Sequence, residues 1–142
     1  MKVVLGSDER TPLTDAVAVD LEQRGHQVTL VGPLAGQDAI EWAEVGHRLG
    51  EVVSAGTADT GVLFCWTGTG ASIAANKVPG VRAALCTDAA TAAGARTWND
   101  ANVLVMGLRL TSPELAREML DAWFATSPDP REAANIARLE SG

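Results

Sequence analysis

Short apolar runs alternate along the chain with longer stretches that carry helical spacing. Lys2–Gly6 (KVVLG) opens as a buried strand. Thr11–Arg24 follows as an amphipathic helix in which Leu13, Val17 and Leu21 recur on one face. Pro12 falls in its first turn, where a missing N–H is tolerated, and Gly25 stands just past its end. His26–Val31 predicts the second strand, Val62–Cys65 the third, Val81–Leu85 the fourth and Asn102–Met106 the fifth. Helices are expected between them over Asp38–Ala55, Ala71–Asn76, Asp88–Thr97 and Pro113–Phe124, with a last one over Pro130–Leu139 after the Ser127-Pro128-Asp129-Pro130 turn. The strands are short, rich in Val and Leu, and do not alternate with polar residues. Such strands are buried on both faces, which predicts a parallel sheet between two helical layers: a single α/β domain over residues 1–142, with five doubly wound strands.

Composition narrows the function classes. The 142 residues carry 18 acidic against 11 basic side chains, a net charge of -7. No basic run is present to track phosphates, so nucleic acid is an unsuitable partner. No apolar run approaches the length that spans a bilayer, and no leader pattern opens the chain, so a soluble, cytoplasmic protein is expected. The two cysteines, Cys65 and Cys86, are too few for a disulfide framework and lack metal-site spacing. His26 opens a strand and His47 lies within a helix, so neither reads as a metal ligand. No cofactor and no metal are expected.

In a parallel sheet, ligands bind beyond the carboxyl ends of the strands. Those ends carry Ser7, Asp8, Glu9 and Arg10 after strand one, Cys65 to Gly70 after strand three, Thr87 and Asp88 after strand four, and Gly107 to Arg109 after strand five. The segment Cys65-Trp66-Thr67-Gly68-Thr69-Gly70-Ala71-Ser72 is the most informative. A strand ending in a thiol enters a glycine turn that opens a helix, and the free N–H groups there can hold a phosphate, a carboxylate or the oxyanion of an enediolate. The helix N-terminus favours a thiolate at Cys65, whereas Asp8 and Glu9, if close, oppose it. A small buried cysteine beside an ordinary strand-to-helix turn would look the same. Cys86 reads as a structural residue continuing a buried strand.

The run GTGASIAANKVPGVRAALCTDAATA followed by WNDANVLVMGLR resembles the ribose-5-phosphate isomerase B family, which includes the galactose-6-phosphate isomerase subunits. The likeness is dense from Gly61 to Trp123 and collinear elsewhere, with GSD at Gly6–Asp8 and Glu41-Trp42-Ala43 where the family tends to show Asp-Tyr-Pro. It implies a Rossmann-like sheet, a homodimer or dimer of dimers with the site at the subunit interface, and metal-free aldose–ketose isomerisation through an enediol. The last helix, about 130–139, would then pack on a partner subunit. By the same resemblance Cys65 is the base that moves the carbon-bound proton and Thr67 the hydroxyl assisting ring opening. The amides of Gly68, Thr69, Gly70, Ala71 and Ser72 match the oxyanion site. Asp8 and Asn99 match substrate-binding positions, and Arg109 and Arg131 fall where family arginines hold phosphate.

Four departures touch substrate handling. Glu9 stands where the family has a phosphate-binding histidine, Trp98 where it has a ring-opening histidine, Asn135 where a second arginine is expected, and Trp66 where glycine follows the cysteine. A carboxylate facing a phosphate is repulsive by on the order of 1 kcal/mol. An indole stacks and donates one N–H but shuttles no proton. Trp66 and Trp98 therefore read either as interface packing or as platforms for a sugar. The expectation is an isomerase of altered specificity, acting on a short open-chain sugar phosphate or a non-phosphorylated sugar. The competing expectation is a non-catalytic sugar-binding paralogue or the partner subunit of an active isomerase.

Overall fold

In the computed structural model, which describes residues 1–140, the five strands are β1 (Lys2–Ser7), β2 (Gln27–Val31), β3 (Thr60–Cys65), β4 (Ala83–Leu85) and β5 (Val103–Gly107). All pair in parallel, in the order β2-β1-β3-β5-β4. The expected parallel sheet is present, with the fifth strand inserted between the third and the fourth. Every residue of β3 and β5 is buried, as unbroken apolar strands require when both faces are covered.

The pleat sends alternate side chains to two cores. Val3, Leu5, Val62, Phe64, Leu104 and Met106 face helices α1 (Pro12–Gln23), α4 (Ala89–Asn99) and α5 (Pro113–Ala125). Val4, Leu63, Val103 and Val105 face α2 (Trp42–Ser54) and α3 (Thr69–Asn76). Local chemistry starts three of these helices: the Thr11 and Thr14 hydroxyls cap α1 reciprocally, Asp88 accepts from the Thr91 amide at α4, and Ser112 accepts from the Leu115 amide at α5. Helix α2 lies unusually close to its neighbours. A Cβ at Gly46 would sit 2.7 Å from the Ala71 carbonyl oxygen, and one at Gly61 of β3 would sit 2.7 Å from Leu49 Cδ2.

Three expected boundaries shift. Helix α2 begins at Trp42 rather than Asp38, because Ile40 packs into the second core and against Gly32 from a non-helical stretch. Strand β4 starts at Ala83, with the Arg82 and Ala83 amides donating to the Asn102 and Asn76 side chains. The last helix opens as a short 3-10 turn at Pro130–Glu132 before α6 (Ala133–Glu140), which buries no residue and touches α4. Among the described residues no helix is long and apolar enough to cross a membrane.

Candidate active site

The register aligns the ends of the central strands: Ser7 pairs with Phe64 and Cys65 with Gly107. Asp8 and Cys65 thus emerge side by side where the chain order reverses direction across the sheet, the usual place for a ligand. After β3 the chain is stitched to the turn after β5, the Leu108 and Arg109 amides donating to the Cys65 and Trp66 carbonyls at 2.9 Å. Gly68 then takes a left-handed φ of 79°, and a Cβ there would lie 2.5 Å from Leu85 Cδ1 and 3.1 Å from the Met106 carbonyl carbon. Glycine is required on both counts. This held turn delivers the chain into α3 with Gly68 as N-cap and no side chain capping the helix. Its first-turn amides at Thr69 and Gly70 are therefore free to donate outward.

A cleft of about 440 Å³ opens over that turn. Its polar floor is Asp8, Cys65, Thr67 and Thr69, the two threonine hydroxyls sharing a hydrogen bond of 2.8 Å. Its apolar walls are Trp42, Trp66 and Ile73. The Asp8 Oδ1 is buried without a hydrogen-bond partner. Burial pushes the Asp8 carboxyl above its ordinary range, and the neighbouring Glu9 and Glu41 charges add to this, against a backbone hydrogen bond that favours the carboxylate. A thiol, an unsatisfied carboxyl oxygen and free amides around one small space suit proton transfer between adjacent carbons with charge developing on oxygen.

The structure thus brings together Asp8, Cys65, Trp66, Thr67, Thr69 and Gly70, with Gly68 shaping the turn. Ala71 is fully buried against Gly46 and does not line the cleft, and Ser72 donates its amide to the Gly68 carbonyl. Glu9 is exposed outside the cleft lining, its backbone tied to the Ser7 hydroxyl. Trp98 and Asn99 line a different, open groove between β4 and α4, shared with Leu85 and Asp88. Arg109 is exposed beside the Trp66 loop, and Arg131 is exposed and paired with Asp129 at 2.8 Å. No cation lines the cleft among the described residues. Cys86 is buried, its thiol pushed up to about 11 by burial and by Asp88. Trp42 and Ile73 are the lining residues that sequence reasoning did not single out. Trp42 precedes Gly46 and Gly50 by one and two turns of α2, and that small-residue stripe was the available signal.

Comparison with known proteins places this geometry. The Ribose/Galactose Isomerase family model matches residues 3–140. D-erythrulose-4-phosphate isomerase of Pectobacterium atrosepticum is 36% identical over 87% of the chain and 82% of its own length. Ribose-5-phosphate isomerase B of Escherichia coli is 36% identical over 79% of the chain and 74% of its own length. Among solved structures, ribose-5-phosphate isomerase B of Clostridium thermocellum superposes with a TM-score of 0.92 at 36% identity, covering 99% of this chain and 96% of that one.

Proposed function

The chain belongs to the ribose/galactose isomerase family, and from that premise we propose that the Cys65 cleft interconverts an aldose phosphate and a ketose phosphate through an enediolate. The protein is an aldose–ketose isomerase of sugar phosphates. The Cys65 sulfur takes the proton from the carbon beside the carbonyl and returns it to the neighbouring carbon. The negative oxygen of the intermediate rests against the first-turn amides of α3. One proton must also pass from one oxygen to the other, and the Thr67–Thr69 hydroxyl pair, which lines the same cleft as the thiol, relays it. Asp8 Oδ1 receives a substrate hydroxyl. One observation carries the reading: Cys65, the unpaired Asp8 oxygen and an uncapped helix turn open on the same cleft.

The cleft lacks a cation for the phosphate and lies apart from Trp98 and Asn99. A second copy of the chain completes it, bringing Trp98, Asn99 and Arg131 opposite Cys65, while Arg109 of the same chain flanks the Trp66 loop. Trp98 transfers no proton, so the substrate is one that needs no ring opening. A four-carbon sugar 4-phosphate meets that need, because the phosphate occupies the hydroxyl that would close a five-membered ring. Sugar phosphates are retained inside cells by their charge, which puts the reaction in the cytoplasm.

The test is turnover of D-erythrulose 4-phosphate, followed by NMR, by the parent and by Cys65→Ala and Asn99→Ala variants. Each variant is expected to lose about 10²–10⁴-fold. Mixing the two inactive variants is expected to restore about a quarter of parent activity through hybrids that carry one intact composite site. Full activity of Cys65→Ala would overturn the mechanism, and no recovery on mixing would overturn the shared site.

A further inference from the structure

Helix α2 presents residues 42, 46 and 50 on one stripe, four apart. At the second and third positions the stripe is glycine, and the backbone of α3 comes into contact there. A Cβ at Gly46 would lie 2.7 Å from the Ala71 oxygen and 2.8 Å from Ala74 Cβ, and one at Gly50 would lie 2.9 Å from Val78 Cγ2. At the first position the stripe carries an indole. Two helices already this close leave no room for it between them, so Trp42 lies across the open end of α3. Its six-membered ring covers Gly70, where a Cβ would meet Cε3 at 2.6 Å and Cδ2 at 2.9 Å. Gly70 has an ordinary helical backbone, so what a Cβ there would meet is the ring and not a conformational barrier.

We propose that Trp42, which lines the cleft together with Trp66, is the specificity-determining wall that restricts this site to short, unbranched, open-chain sugar phosphates. The proposal rests on the Cys65 cleft being the isomerase site. Trp42 is 48% exposed, Trp66 59% and Ile73 61%, so three large apolar side chains crowd one small opening without being part of the core. Scattered single exposures would need no account, but a cluster around a polar floor does. Trp66 cannot withdraw by moving its backbone, since its carbonyl is held by the Arg109 amide. A linear polyol phosphate can lay its C–H edge against the indoles while its hydroxyls meet Asp8 and the threonines. On this proposal a chain one carbon longer meets the Trp42 ring, and one misfitting carbon in an apolar pocket is worth about 10–200-fold in selectivity.

The decisive measurement compares D-erythrulose 4-phosphate with D-ribulose 5-phosphate. Both are ketoses that cannot close a five-membered ring, so they differ by one CHOH unit and not in ring opening. Trp42→Ala is expected to raise the five-to-four-carbon ratio of kcat/KM by about tenfold or more. It should do so chiefly through KM, with Trp42→Phe falling between. An unchanged ratio in a natively folded Trp42→Ala protein, or in Trp42→Phe should the alanine variant not fold, overturns the proposal. If the parent turns over neither ketose, the isomerase reading fails on its own. The calorimetric affinity ratio for ribonate 5-phosphate against erythronate 4-phosphate then decides the role of Trp42: a ratio raised in the variant supports the wall, and an unchanged one refutes it.

Discussion

The closeness of α2 to α3 can be tested with one substitution made at two glycines. Gly46 and Gly94 both lie inside helices, so alanine gains about 0.8–1 kcal/mol of helix propensity at either. Their surroundings decide the sign. At Gly46 the new Cβ meets the Ala71 carbonyl oxygen at 2.7 Å and Ala74 Cβ at 2.8 Å, atoms fixed to the backbone of α3. No rotamer relieves this, and forcing the helices apart costs about 1–3 kcal/mol. Gly46→Ala is therefore expected to destabilise by about 0–2 kcal/mol. At Gly94 the Cβ meets only the Trp98 ring, at 2.6 Å to Cζ3, the far end of a rotatable side chain that is 59% exposed in the single chain. Gly94→Ala is expected to stabilise by about 0.5–1 kcal/mol once a small lost contact is subtracted from the propensity gain. The two variants should differ in Tm by roughly 1–12 °C, at about 2–4 °C per kcal/mol for a domain of this size. Thermal unfolding by circular dichroism, at one protein concentration because self-association shifts Tm, measures the difference. A Gly46→Ala protein as stable as Gly94→Ala would refute the close approach, and with it the placement of Trp42.

Three further outcomes are expected. Iodoacetamide at pH 7 should alkylate Cys65, which opens on the cleft, and spare Cys86, whose buried thiol, pushed up to about 11, is ionised in about one molecule in 10⁴; peptide mass spectrometry showing Cys86 modified first would contradict this. Asp8 holds its proton more tightly folded than unfolded, so its ionisation lowers stability as pH rises from the ordinary carboxylate range through its raised folded value. Asp8→Asn should therefore be more stable than the parent at pH 7 by urea titration, relative to pH 4, while losing substrate affinity. Trp98→His should raise kcat/KM for ribose 5-phosphate relative to the four-carbon 4-phosphate, since a proton shuttle benefits only the substrate that must open a ring. Equal gains on both would show that ring opening is not what Trp98 withholds.

The acidic balance of the chain acquires local meaning at this site. Glu9 and Glu41 both act on the Asp8 carboxyl, which is already disfavoured as a charge by burial. Arg109 at the loop and Arg131 in its pair with Asp129 lie outside the cleft. A phosphate group would therefore be received at the rim, not on the floor where the proton moves, which keeps the thiol and the substrate carbonyl away from the strongest charges.

How much was legible in the sequence follows the range of the interactions involved. The order of elements, the two-sided burial of the sheet and the gathering of Asp8, Cys65, Thr67 and Gly70 at one edge are consequences of local patterning. Unbroken Val/Leu runs dictate strands covered on both faces, and parallel strands put all their carboxyl ends on one side. The starts of α1, α4 and α5 are likewise local, fixed by side-chain caps at Thr11, Asp88 and Ser112. Tertiary packing alone decided the rest. The insertion of β5 between β3 and β4 brings Gly107 against Thr67 and Leu85 against Gly68, contacts between segments far apart in the chain. The late start of α2 depends on Ile40 finding a core that the rest of the fold builds. Trp42 becomes a wall of the site only because Gly46 and Gly50 let two helices meet, and a distance between helices is not encoded by the residues of either one alone.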